Sequence, residues 1–146
     1  MIDFISQQDK IKSYIETNYK KVLEEVNLPD VNSYIHDFLD FDKYQKPIQL
    51  FYDFGNYNFS NLSNESNTEE IELHIYLSFK GGKSTELNEK MLKYTAGFYE
   101  MFNRSGSNFG GIADFGNIEE VSFFQAVEAN INVKLADIKI KLQTER

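Results

Sequence analysis

The chain has 146 residues, a formal net charge of −8, 41% hydrophobic and 15% aromatic residues, and no cysteine. This length predicts a single domain that buries a core without disulfides or a structural metal. The acidic charge argues against general binding to nucleic-acid backbones or anionic membranes, which need a cationic surface. The lack of cysteine excludes disulfides, thiol nucleophiles and thiolate metal sites.

Residues 1–26 predict the first helix, because their apolar side chains recur at helical spacing opposite a face of lysine and glutamate. Pro29 in "NLPD" ends this pattern, since its ring cannot continue the helical hydrogen-bond ladder. Residues 31–45 favour a short helix capped by Asp30, with an irregular buried segment as the alternative. The start "MIDFISQQDKIK" has no basic leader before an apolar run, so we expect no secretory signal. No stretch approaches the ~20 apolar residues of a membrane span.

Two strands are predicted on either side of a polar segment. "KPIQLFYDFG" places alternate apolar residues on one side of a strand, and "EEIELHIYLSFK" alternates more regularly. The residues that these patterns direct into the core are Ile48, Leu50, Tyr52, Phe54, Ile71, Leu73, Ile75, Leu77 and Phe79. Residues 55–69 between them are rich in Asn and Ser and are predicted to form a flexible loop.

The second half of the chain predicts a helix, a connector and two strands. Glycines at 81–82 turn the chain into a helix capped by Ser84 or Thr85, and the glycine-rich residues 104–117 predict a second flexible loop. "EEVSFFQAVEANI" and "NVKLADIKIKLQTE" predict the closing strands. The order of elements predicts one α+β domain over residues 1–146, with two main helices packed on a mainly antiparallel sheet of four or five strands.

The stretch "SFKGGKSTEL" is similar to a phosphate-binding loop but departs from it. A Walker A loop consists of Gly, four residues, then Gly-Lys-Ser/Thr, and its first glycine would fall on Leu77, inside a predicted strand. The three residues 81–83 are too few for their amides to wrap a phosphate. We therefore interpret this stretch as a glycine turn followed by a helix start, and we expect no nucleotide cofactor.

No catalytic or metal site is predicted. Asp114 opens an Asp-Phe-Gly triplet, but the other kinase motifs are absent from the sequence. His36 and His74 have no second histidine nearby, so we expect solvated or hydrogen-bonded side chains rather than metal ligands. The glutamate pairs at 69–70 and 119–120 precede strands and would form an acid/base site only if folding brought them together. The sequence thus favours a protein that is not an enzyme and has no cofactor.

The order of elements resembles that of the tail-terminator and neck proteins of tailed bacteriophages, a group of tail-completion and head–tail connector proteins. The segments that resemble this family are "PIQLFYDF", "IELHIYLSF", "STELNEKMLKYTAGFYEMF" and "VEANINVKLADIKIKLQT", which together span most of the chain. The resemblance implies a virion structural protein that is assembled in the host cytoplasm. It also implies a homo-oligomeric ring, commonly a hexamer, that joins the tail tube to the head-connector proteins.

In such a ring, DNA passes through the lumen without sequence-specific binding, and an acidic wall suits that role because a cationic wall would trap phosphates. Flexible loops could become ordered on assembly, and their aromatic residues could anchor interfaces. The candidate interface residues are Tyr57, Phe59, Leu62, Phe109 and Phe115, with core packing as the alternative. The second functional class is an acidic cytosolic binding module, such as an immunity or inhibitor protein that masks a cationic partner. A small enzyme or ligand-binding domain with a scattered site is a third.

Overall fold

The computed structural model describes residues 3–36, 46–61, 67–128 and 131–145. These ranges contain α1 (Phe4–Glu25), β1 (Ser33–Ile35), β2 (Ile48–Asn61), β3 (Asn67–Lys80), α2 (Ser84–Arg104), β4 (Phe115–Glu128) and β5 (Ile131–Glu145). Their strands form one mixed sheet in the order β1-β2-β3-β5-β4, in which β1 and β2 are parallel and every other pair is antiparallel. The predicted α+β domain with two helices on a mainly antiparallel sheet is confirmed.

Both helices cover the same side of the sheet, which we call the helix face. The five residues of β3 that were predicted to point inward, from Ile71 to Phe79, are all buried there. The alternate residues of β2 and β5 extend this layer, and each fully buried aliphatic or aromatic side chain stabilises the fold by ~1.5–3 kcal/mol. Buried residues of the two neighbouring strands on this face are Ile48, Leu50, Tyr52, Ala136, Ile138, Ile140 and Leu142.

The two helices pack against each other through small and aromatic residues. Gly97 of α2 lies against Leu23 of α1, where an added Cβ would come within 3.3 Å of a leucine methyl carbon. Next to it the hydroxyl of Tyr19 donates to the Tyr94 carbonyl oxygen at 2.7 Å, and the hydroxyl of Tyr94 donates to the Pro29 carbonyl oxygen at 2.6 Å. Burial raises the pKa of Tyr19 well above its ordinary value, so it remains a neutral donor.

The prediction of a flexible loop over residues 55–69 is wrong at both of its ends. Residues 55–61 continue β2 and residues 67–69 begin β3, and the two strands stay paired from Ile48 with Phe79 to Asn61 with Asn67. The reason is that Tyr57 and Phe59 alternate with small polar residues, a period of two that the high Asn and Ser content obscured.

The predicted helix over residues 31–45 is also wrong where the structure describes it. Ser33–Ile35 is a short strand that pairs with residues 49–51 of β2, and residues 37–45 lie outside the described ranges. Asp30 does not cap a helix, because its carboxylate accepts from the Val31 amide at 2.8 Å and from the Tyr34 hydroxyl at 2.7 Å. Ile35 therefore belongs to a strand at the edge of the sheet. The local sequence pattern did not predict this strand.

Residues 105–114, at the centre of the second predicted loop, form a packed turn. Arg104 is the last residue of α2, and Phe115 already begins β4. The Ser105 hydroxyl oxygen accepts from the Phe109 amide at 3.1 Å, and Phe109 is completely buried, with its ring 5.1 Å from that of Phe102. The prediction that Phe109 lies on an assembly surface is wrong, because this side chain closes the core below the turn.

Gly116 lets the packed turn approach the start of β4. A Cβ built at Gly116 would lie 2.2 Å from the Ser107 carbonyl oxygen and 2.8 Å from a Leu142 methyl carbon, whereas a Cβ at Gly55 would lie 3.7 Å from its nearest neighbour. Gly116→Ala should therefore lower the free energy of unfolding by ~1–3 kcal/mol through overpacking. Gly55→Ala serves as the matched control in a strand and should change it little. Urea unfolding of both variants measures the difference, and equal stabilities would contradict this close approach.

Candidate functional site

The stretch similar to a phosphate loop is a sharp turn between β3 and α2. Gly81 and Gly82 have φ angles of 85° and 90°, and α2 begins two residues later at Ser84. The helix N-cap is Lys83 and carries no side-chain capping bond, so the predicted Ser84 or Thr85 cap is wrong. Leu77, at the position of the first Walker A glycine, is completely buried. This geometry provides no loop of amides around a phosphate.

Each of the two histidines is hydrogen-bonded to a different carboxylate. His36 Nε2 lies 2.6 Å from Glu16 Oε1 beside α1. On the sheet face opposite the helices, His74 Nδ1 lies 2.8 Å from Asp137 Oδ1, while its Nε2 is 3.8 Å from Glu72. Both ring nitrogens of His74 thus face carboxylates, and its ring stacks on that of Tyr76 with the centroids 5.8 Å apart. Within the described ranges, no group of three or more His, Asp or Glu side chains is arranged to hold a metal ion.

Charged residues around His74 form cross-strand pairs. Lys139 lies opposite His74 in the register and contacts Glu72 at 3.0 Å and Glu119 at 3.5 Å, and Lys141 contacts Glu119 at 3.1 Å. Hydrogen bonds from Lys139 and then Asn56 lower the pKa of the Glu72 carboxyl below its ordinary value of 4.5. Complementary charges placed directly across strands stabilise a sheet modestly. The cluster therefore acts as a structural ladder of partly buried charges on this face of the sheet.

An open groove of about 810 Å³ runs along α1 beside the packed turn. Its walls include Asp3, Asp9, Lys10 and Tyr14 from the helix and Gly110 from the turn. The groove gathers two carboxylates, a lysine and a tyrosine but neither histidine. The packed turn places the buried Phe109 beneath this groove. The groove is therefore the line along which the turn packs against α1.

Three aromatic side chains cluster where α1 begins, against the outer part of β2. We call Phe4, Tyr57 and Phe59 the hairpin patch. The ring of Phe4 lies 4.6 Å from that of Tyr57 and 6.5 Å from that of Phe59, both edge-on. Tyr57 is half-buried and its hydroxyl accepts from the Gln8 amide at 3.1 Å, whereas Phe59 is 55% exposed. Leu62, the third residue predicted for this region, lies outside the described ranges.

A second group of exposed aromatics follows the outermost strand, β4. We call Phe115, Phe123 and Phe124 the β4 patch, and their exposed fractions are 60%, 47% and 54%. Phe123 lies on the helix face opposite Ala136, and Phe124 lies on the other face opposite Leu135. Of the predicted interface residues, Phe115 and Phe59 are exposed. Phe123 and Phe124 were not among them, because their segment was predicted only as a closing strand, without a facing.

An apolar cleft of about 320 Å³ separates α2 from β4 on the helix face. Exposed Leu92 and Tyr99 of α2 face Val121 and Phe123 of β4 across it. The buried hydroxyl of Thr95 lies in its wall without a hydrogen-bond partner in the described part of the chain. The β4 patch and the cleft together make this border of the sheet apolar, and such surfaces are typical of protein contact sites.

The two aromatic patches lie at opposite borders of one sheet. In the strand order, β4 is the last strand on one side, and β2 on the other side is covered by β1 only along residues 49–51. Different surfaces on opposite borders are the arrangement that head-to-tail association uses, whereas a two-fold dimer uses one surface twice.

No protein-family model matches the sequence, and no curated protein matches it significantly. Among the described residues, no helix is both long and apolar enough to cross a membrane.

Glu72→Gln tests the charge ladder. Because the pKa of Glu72 is lowered in the folded state, its stabilising effect is complete above the unfolded value of 4.5 and is lost as the pH falls through the lower, folded value. The variant should therefore be less stable than the wild type at pH 7, with a difference that shrinks progressively below pH 4.5. Urea unfolding across this range measures it, and a difference that stays constant down to pH 3 would refute the role of Glu72.

Nucleotide binding can be tested directly at the glycine turn. Because the turn offers no set of amides that could surround a phosphate, ATP or GTP with Mg²⁺ should leave the melting temperature of the wild type unchanged. The substitution Lys83→Ala should also leave the melting temperature unchanged. Differential scanning fluorimetry measures both. A nucleotide-dependent rise in the wild type that disappears in Lys83→Ala would show that the stretch is a phosphate site after all.

Proposed function

We propose that the protein is a non-enzymatic structural subunit that assembles with copies of itself into a closed ring. The observation that carries this proposal is the presence of two separate exposed aromatic patches, around Phe59 and around Phe124, at opposite borders of the sheet. A subunit with two different binding surfaces associates head to tail with its copies. Repeated head-to-tail association closes into a ring when the rotation between neighbouring subunits allows it.

We further propose that the ring belongs to a virion of a tailed bacteriophage, where it joins the tail tube to the head-connector proteins. This part rests on the resemblance in element order, and the α+β fold with two helices on one sheet face is compatible with it. A net charge of −8 suits a lumen through which DNA moves, because an acidic wall repels phosphates. The titratable clusters of the sheet are paired in ladders, which also suits a subunit without a reaction centre.

The alternative is an acidic binding module that masks a cationic partner, such as an immunity or inhibitor protein. The same charge of −8 favours it, since opposite charge steers and stabilises association with a basic protein. The exposed aromatics would then form one side of a complex between two different chains.

Native mass spectrometry and light scattering of the purified protein separate these functions. The ring proposal predicts a single closed species of more than two copies, visible as an annulus by negative-stain electron microscopy. A protein that remains monomeric at every accessible concentration would overturn the ring. A one-to-one complex with a cationic protein from the same host would favour the binding module.

A further inference from the structure

The outer border of β4 is an open sheet edge in the part of the chain that the structure describes. It is 14 residues long, and no described residue pairs with its outer side. Proteins that remain monomeric usually protect such edges with charged side chains, proline, β-bulges, short strands or a covering segment. β4 has neither lysine nor proline, but a register shift between Ile118 and Glu120 and the glutamates at 119 and 120 protect its first half. Its second half exposes Phe123 on one face and Phe124 on the other. A partner that covers both phenylalanines must lie in the plane of the sheet, which is how an added strand lies.

The outer border of β2 is the second open edge. From residue 52 onward no described strand pairs with its outer side, and within residues 55–60 every side chain except that of the half-buried Tyr57 is exposed. This stretch, "GNYNFS", contains no charged residue. In the described ranges, this edge is therefore as open as that of β4, and residues 55–60 are uncharged.

We propose that the outer edge of β4 in one copy pairs with the outer edge of β2, around residues 55–60, in the next copy of this chain. This inference rests on the proposed ring and names its interface. The sheets of neighbouring subunits then join edge to edge, and every copy uses one β4 edge and one β2 edge. The pairing is antiparallel, because β4 already runs opposite to β2 within each sheet and rotation about a ring axis preserves that direction.

Charge decides against two β4 edges pairing with each other. The sequence of β4 contains three glutamates, at 119, 120 and 128, and no basic residue. Two copies side by side would bring the carboxylates of Glu119 and Glu120 from both copies to one seam, where Lys139 and Lys141 balance only Glu119. Like charges across strands destabilise pairing. The uncharged residues 55–60 impose no such repulsion. The β2 edge is thus the compatible partner that this chain itself provides.

The two edges also match face by face. On the helix face, β2 offers Tyr57 and Phe59, and β4 offers Val121 and Phe123. Apolar side chains therefore meet on that face beside the cleft, where the incoming chain can also supply a partner for the buried Thr95 hydroxyl.

The opposite face of each edge is mainly polar. Asn56 and Asn58 of β2 lie there, and Ser122 and Glu120 of β4 lie there. Asparagine amides can donate to the glutamate across the new seam, which adds specificity to the pairing.

Three substitutions at closely matched exposure test the proposal. Phe124→Glu alters the β4 edge, Phe59→Glu alters the β2 edge, and Val26→Glu, just after the last residue of α1, is the control. The wild-type side chains of Phe124, Phe59 and Val26 are 54%, 55% and 56% exposed. Each edge variant should be monomeric where the wild type forms rings, with association weakened by about tenfold or more, and the control should assemble like the wild type. Thermal melting verifies that each variant is folded. Ser122→Lys or Asn58→Lys replaces an edge variant that does not melt cooperatively.

Mixing the two edge variants is the decisive measurement. Phe124→Glu keeps an intact β2 edge and Phe59→Glu keeps an intact β4 edge, so an equimolar mixture should give a one-to-one dimer and nothing larger by native mass spectrometry. If the wild type forms rings but the mixture stays monomeric, or if Phe59→Glu alone still dimerises, the proposed interface is wrong while the ring stands. A wild type that is itself monomeric would overturn the ring and this interface together.

Discussion

The fold depends on the row of apolar side chains that β3 directs to one face. Leu73, Ile75 and Leu77 have no solvent exposure and lie between β2 and β5 in the register, beneath both helices. Because side chains alternate along a strand, a shift of one residue would move this entire row to the opposite face. The row therefore fixes the register of the sheet, the placement of α1 and α2, and the facing of every other strand.

Because that row lies on one face, the two faces of the sheet differ: one is covered by the helices, and the other carries paired charges. Two helices cover the centre of the helix face, but they leave its two borders open, at the cleft beside Phe123 and at the hairpin patch around Phe59. On the opposite face, the side chains of Glu72, His74 and Lys139 are only partly exposed and are paired with one another. Charges that satisfy one another offer little to a partner, whereas open strand edges with aromatic residues attract one. The features of this molecule that favour binding, open strand edges and exposed aromatic side chains, therefore lie at the borders of the sheet.

Local patterns in the sequence predicted the helices and the central strands, because amphipathic periodicity is a property of neighbouring residues. They failed where a residue's role depends on distant contacts. Phe109 lies among glycines and polar residues, yet it is buried between Tyr14 and Phe102. Residues 33–35 were expected to be helical, yet they add a strand to β2 because that edge is available. No periodicity within a few residues could have revealed either partner.

The sequence by itself determined the class of the fold and which face of β3 points inward. It also excluded thiol chemistry and a Walker A loop. These four conclusions follow from residue type and from spacing along a short stretch. Tertiary structure alone decided which strands lie at the borders of the sheet, and thus that Phe59 and Phe124 are exposed while Phe109 is buried. Strand order is set by pairing between segments far apart in the chain, such as β3 with β5, and the alternation within each strand is the same at an edge as at the centre.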